Sequence, residues 1–146
     1  MASTRNQVLT RDEYPDIFET KSFGPYTAPT AGNYVLSIVD KYTFLDEAWI
    51  GITARAGASG VSVRLAWAAS GQTLAAAVTA NQWLTDAKLL GDNSGAVVAN
   101  RPEDFDVIGE IVDGIPPFSR IFMVVVGTTT SLAGLTIGTR CRERNP

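Results

Sequence analysis

Val61-Ser62-Val63-Arg64-Leu65-Ala66-Trp67 decides the fold class, because apolar and polar side chains alternate through it. Successive side chains of a β-strand point to opposite faces of the sheet. Val61, Val63, Leu65 and Trp67 therefore share one face, and Ser62, Arg64 and Ala66 share the other. That is the pattern of an antiparallel strand with one buried side. The run Gly57-Ala58-Ser59-Gly60 turns the chain before this strand, and Ser70-Gly71 turns it afterwards.

Working outward, the same signal recurs. Residues 33–39 read as a strand with Tyr34, Leu36 and Ile38 on one face, and residues 48–54 as a second. A short strand is expected over 72–76. Residues 119–126 are apolar on both faces, with Ile121, Met123 and Val125 on one and Phe122, Val124 and Val126 on the other. Such a strand belongs in the middle of a sheet covered on both sides. Residues 105–112 and 134–140 supply further strands. Trp83, Leu84, Ala87 and Leu90 fall at helical spacing, so a short helix is expected near 80–90, capped by Thr79 or Asn81 and ended by Gly91, with a strand pair as the alternative. About eight short strands separated by Gly, Ser, Thr and Pro turns make an all-β, antiparallel sandwich or jelly roll.

The chain has 146 residues, enough for one domain with a proper core. It divides into an extended N-terminal arm (1–27), the sandwich (28–140) and a C-terminal tail (141–146). Charged residues make up 18% of it, against about 25% in ordinary globular domains. Either the exposed surface is built of Thr, Ser and Ala, or part of it sits against a partner. The net charge is −3, which gives nucleic-acid binding no electrostatic support. Arg140, Arg142 and Arg144 form the one local cationic run and read as a solvated tail. No apolar stretch approaches the ~20 residues of a membrane helix, and no signal-peptide core is visible, so synthesis in a cytoplasm is expected.

The chemistry of catalysis is thin. There is no histidine, and Cys141 is the single cysteine, so neither a Ser-His-Asp triad nor a Cys-His pair can be assembled. No phosphate-binding glycine loop occurs. Asp46 and Glu47, and Glu103, Asp104 and Asp106, are carboxylate clusters. Asp92, Asn93, Asp104 and Asp106 offer hard oxygens of the kind calcium takes, without EF-hand spacing. They read as solvated loop residues, and no enzyme activity, metal or cofactor is expected.

Binding residues are more legible. A loose polar arm should lack large apolar groups, yet this one carries Tyr14, Pro15, Ile17, Phe18, Phe23 and Tyr26. These either fold back on their own domain or lie across a partner. Trp49 and Trp67 read as core, and Trp83 as open to a partner.

The segments 28–40 (APTAGNYVLSIVD), 60–67 (GVSVRLAW) and 115–140 (IPPFSRIFMVVVGTTTSLAGLTIGTR) together resemble a β-sandwich common among tailed-bacteriophage structural proteins. The likeness lies in strand-and-turn patterns over about four fifths of the chain and carries no catalytic set. It implies a capsid decoration (cement) or head-fibre protein on the outer surface of the virion. Its implied partners are the major capsid protein and further copies of itself, as a homotrimer or other homo-oligomer. The alternative is a tail-fibre or receptor- or carbohydrate-binding module; the missing heptad stalk and fibre repeats count against a fibre shaft.

Overall fold

The computed structural model describes residues 17–108 and 114–144. Among the described residues, eight strands and one helix follow in order: β1 (Ile17–Tyr26), β2 (Gly32–Ile38), β3 (Tyr42–Gly51), β4 (Ser62–Ala68), α1 (Leu74–Thr79), β5 (Trp83–Leu89), β6 (Glu103–Asp104), β7 (Arg120–Val126) and β8 (Leu135–Arg144). They form two four-stranded sheets, in the orders β1-β8-β3-β6 and β2-β7-β4-β5. Every pairing is antiparallel.

The two orders encode one path. β1 pairs with β8, β2 with β7, β3 with β6 and β4 with β5. The chain thus folds as a long antiparallel ribbon wound around a core, which is the jelly-roll topology. The all-β sandwich expected from the alternation is the fold observed.

Between the sheets lies the main core. Val63 and Leu65 of β4 meet Ile121, Met123 and Val125 of β7, opposite Leu45, Ala48 and Ile50 of β3 and Leu135 and Ile137 of β8. Trp67 packs against the same cluster. β7 lies between β2 and β4, as its two apolar faces require. Its second face has its own smaller core. Phe122, Ala66, Ala68 and Ala77 are buried there, with Leu74, Val78, Trp83 and Val124 packed around them. The small side chains of Ala66 and Ala68 let α1 lie close on the sheet.

Helix and strand are exchanged relative to expectation between β4 and β7. The helix occupies 74–79, where a strand is expected, and 83–89 is strand β5, not helix. Leu74-Ala75-Ala76-Ala77 is a strong helix-forming run. Thr73 caps it by accepting the Ala76 N–H at 3.1 Å. Asn81, expected as an N-cap, instead has φ of 56° just after the helix. The helical spacing combines two faces of a strand: Leu84 and Leu90 pack in the main core, whereas Trp83 packs beside α1 and Ala87 is exposed. β5 also carries two extra residues where it slips against β4, since Arg64 pairs with Ala87 and Ala66 with Trp83. Gly91 does not end a helix. A side chain there would run into the Ala58 carbonyl.

Two further expectations shift for similar reasons. A bulge between Val35 and Ser37 turns Ile38 away from the core, leaving it 65% exposed, while Tyr34 and Leu36 still pack inward. Of the strand expected over 105–112, the described residues show an isolated bridge from Val107 to Thr85, while the two-residue strand β6 lies just before it; residues 109–113 lie outside the described residues. Residues 17–26, placed in the arm, form an edge strand, and Cys141–Arg144, placed in the tail, complete β8.

Candidate interaction surface

The outer face of the β1-β8-β3-β6 sheet carries an ordered strip of arginines. Leu135, Ile137 and Thr139 are the buried side of β8, so Arg140, Arg142 and Arg144 alternate to the outer side. Register places Arg142 between Phe18 of β1 and Phe44 of β3, and Arg144 beside Tyr42. The Arg140 guanidinium sits 4.6 Å over the Phe18 ring, and those of Arg142 and Arg144 lie 4.6 and 5.1 Å over Phe44. Stacking fixes these long side chains along the sheet. Arg142 also approaches Asp46 at 3.5 Å.

Trp49 belongs to this face and not to the core. Ala48 and Ile50 point inward, so Trp49 alternates outward, and its indole lies across Gly138 of β8. Any side chain at 138 would collide with the ring. Acidic side chains lie next to the arginines across the sheet, with Glu47 the cross-strand neighbour of Arg140. Asp46, Glu47, Asp104 and Asp106 line a groove of about 310 Å³ with Phe105 and Val107. Basic side chains thus occupy the β8 side and acidic ones the β3–β6 side.

The residues singled out for partner binding do not gather at one place. Tyr14 and Pro15 lie outside the described residues. Ile17 and Phe18 are exposed on β1, at 45% and 52%. Phe23 and Tyr26 pack against the core. Trp83 is half-buried beside α1, with the Arg64 guanidinium 4.1 Å over its ring. The residues that sequence reasoning missed are the three arginines, Phe44, Tyr42 and Trp49. The signal for the arginines was their period of two, Arg140-Cys141-Arg142-Glu143-Arg144, which is a strand pattern.

At the opposite edge, β1 and β2 leave the sandwich mouth open as a cleft of about 330 Å³. Its floor includes Phe23, Val39, Ile121 and Thr139, and its rim carries Glu19, Lys21, Asp40 and Glu143. Burial, then the charges of Glu19 and Asp40, push the Glu143 carboxyl above its ordinary range. Its ionisation therefore opposes the fold, and the stability it contributes in acid is lost as pH rises through its raised value. Among the described residues, no group of three or more His, Cys, Asp or Glu side chains is placed to hold a metal.

Burial also raises the Cys141 thiol from 9.0 to about 11, against a smaller opposing effect of the Thr139 hydrogen bond. The native state then favours the neutral thiol. Its contribution to stability is complete below pH 9 and lost as pH rises through about 11. Maleimide labelling of Cys141 at pH 7.5 is expected to be at least ~10-fold slower in the native protein than in denaturant. Equal rates would contradict this environment.

A third surface is apolar. On the outer face of β2 and β7, away from α1, Val35, Ile38 and Val126 are exposed, and Phe118 lies 66% exposed just before β7. Among the described residues, no helix is long and apolar enough to cross a membrane. Comparison with protein families, with curated proteins and with solved structures finds no match for the chain.

Proposed function

We propose that this chain is a structural virion protein, a decoration protein that binds the outside of a tailed-phage head and reinforces it. The observation that carries the reading is the jelly-roll order of the two sheets. Viral capsid domains use that architecture, as do lectins, and the inference is one of fold analogy. The surface supports it: an arginine–aromatic sheet face and an apolar face are suited to flat protein contacts. The arm supports it too. Tyr14 and Pro15 directly precede β1 in the chain, and β1 is paired with β8, so a partner bound by these residues is tied to the sheet. The major capsid protein is the partner this arrangement fits, and many weak contacts repeated over a shell reinforce one another.

The test is binding to undecorated shells of the cognate capsid protein. The full chain is expected to saturate its sites, and a chain beginning at residue 17 to bind at least ~10-fold more weakly. Equal occupancy by both would remove the arm from the account. A second reading, a carbohydrate-binding tail module, is favoured by one observation, the outward Trp49 ring lying flat over Gly138. Glycan binding abolished by Trp49→Ala, but not by Trp83→Ala, would establish it.

A further inference from the structure

We infer that the free edge of β2 is the surface through which two copies of this chain meet, β2 against β2, antiparallel about a twofold axis. The inference gives the expected self-association a surface, and it stands whether or not the chain belongs to a virion. It begins with the four strands that end the two sheets: β1, β6, β2 and β5. An edge strand presents a row of unpaired N–H and C=O groups, and natural proteins guard such edges with charge, shortness or cover. β1 carries Glu19 and Lys21. β6 has two residues, both acidic. β5 carries Asp86 and Lys88, and the segment after β6 covers it: the Asp86 N–H donates to the Asp106 carbonyl, and the Ile108 N–H to the Leu84 carbonyl. β2 is Gly32-Asn33-Tyr34-Val35-Leu36-Ser37-Ile38, with no charge along it. Among the described residues, β7 is its only strand partner. Register slips occur in β1 and β5 as well as in β2, so charge and cover are what set β2 apart.

The side chains around this edge are apolar and incompletely covered. Val35 and Ile38 are exposed, and Tyr34 and Leu36 are only partly buried against the core. Phe118 adds to them at the Ile38 end, where its N–H donates to the Val39 carbonyl at 2.6 Å. This exposed phenylalanine is held at φ 67°, in a turn closed by the Ser119 N–H on the Pro116 carbonyl. Glycine is the ordinary residue for that backbone, and a bulky one there is strained. An exposed ring offsets none of that strain within its own chain, which points to a contact outside it.

A second copy fits this edge because an antiparallel strand pair can be its own complement. A twofold through the middle of β2, near Val35, lays the same unpaired groups opposite one another. It brings Ile38 and Phe118 of one copy to the Gly32–Asn33 end of the other. No atom lies within 4 Å of the place a Gly32 side chain would occupy, so there is room for them. Asp40 and Lys41 fall beside residues 29–31 of the other copy, which carry no charge. On the neighbouring β1, Glu19 and Lys21 neutralise each other at 3.5 Å. At ~3.3 Å per residue β2 is ~23 Å long, and two sheets ~10 Å apart with their side chains make the edge roughly 20 Å deep. The pair then covers about 900 Å² in total, in the range of weak and reversible contacts.

Sedimentation equilibrium of the full chain tests the assignment. The wild type is expected to dimerise below ~1 mM, with a dissociation constant that changes less than ~3-fold between low salt and 0.5 M NaCl, because no ion pair holds it. Val35→Lys and Val35→Glu each set like charges across the axis, and each alone is expected to associate at least ~10-fold more weakly. An equimolar mixture of the two is expected to restore dimers of one copy each. Phe118→Gly is expected to melt no lower than the wild type and yet to dimerise more weakly, a split that simple damage would not give. Thermal melts establish that each variant is folded. Amide exchange of the wild type gives a reading that needs no variant: residues 33–37 are expected to exchange more slowly in concentrated than in dilute solution. A wild type that stays monomeric at ~1 mM overturns the inference and leaves the edge to a strand of another protein. So does a dimer indifferent to both charges at 35, a mixture that stays monomeric, or exchange at 33–37 independent of concentration. Shell decoration is scored separately, so failure here leaves the virion reading to its own test.

Discussion

Deleting residues 1–26 is expected to abolish cooperative folding, whereas deleting residues 1–16 leaves the melting temperature within a few degrees of the full chain. The difference is β1. It pairs with β8 from Ile17 opposite Glu143 to Tyr26 opposite Leu135. Phe23 and Tyr26 pack against the main core. Fully burying one large aromatic contributes about 1.5–3 kcal/mol, of which the partly buried Phe23 and Tyr26 each supply a share, against a total stability of roughly 5–15 kcal/mol for a domain. Losing both aromatics and a whole ladder removes a large share of that. It also leaves β8, with its arginines, as a bare sheet edge. Circular dichroism melts of the two truncations decide the matter. A chain starting at residue 27 that melts cooperatively near the full-length temperature would contradict the place given to β1. The division at residue 27 read from composition therefore does not coincide with a structural seam. An arm truncation meant to spare the fold must stop at residue 16.

Phe122→Ala is expected to cost about 3–5 kcal/mol, the range for truncating a fully buried aromatic. Phe122 is fully buried beneath α1, among Ala66, Ala68 and Ala77. Alanines and a helix of six residues cannot close over the hole. The helix is too short to persist without the sheet beneath it. Val126 lies on the same face of β7 but is 50% exposed. Val126→Ala is expected to stay within about 0.5 kcal/mol of the wild type. Urea unfolding of both variants measures the contrast. Equal effects would mean that α1 does not seal this face.

The fold was legible where alternation was unbroken. β4 shows its buried side in Val61, Val63 and Leu65, and β7 shows both of its covered sides. It was illegible where the register slips. Ile38 and the whole of β5 were misread for that reason, since periodicity carries no record of a slipped register. The jelly-roll path was beyond local reading altogether. Pairing β1 with β8 joins segments at opposite ends of the chain, and nothing in either strand names its partner.

The candidate surface was half legible. The aromatics of residues 14–26 stood out, but only Phe18 reaches the arginine face, and Phe23 and Tyr26 belong to the core. The arginines were passed over because a polar strand at a chain end looks like a tail. Their role depends on which neighbours β8 acquires. Trp49 was placed in the core because its neighbours are apolar, whereas the glycine that makes room for it lies far along the chain at 138.

The central claim is that this protein decorates the head of a tailed phage, and its location on the particle tests that most directly. Purified virions imaged with a label on this chain are expected to carry it in many copies over the head surface. Label confined to the tail tip, or absent from the particle, would contradict the claim.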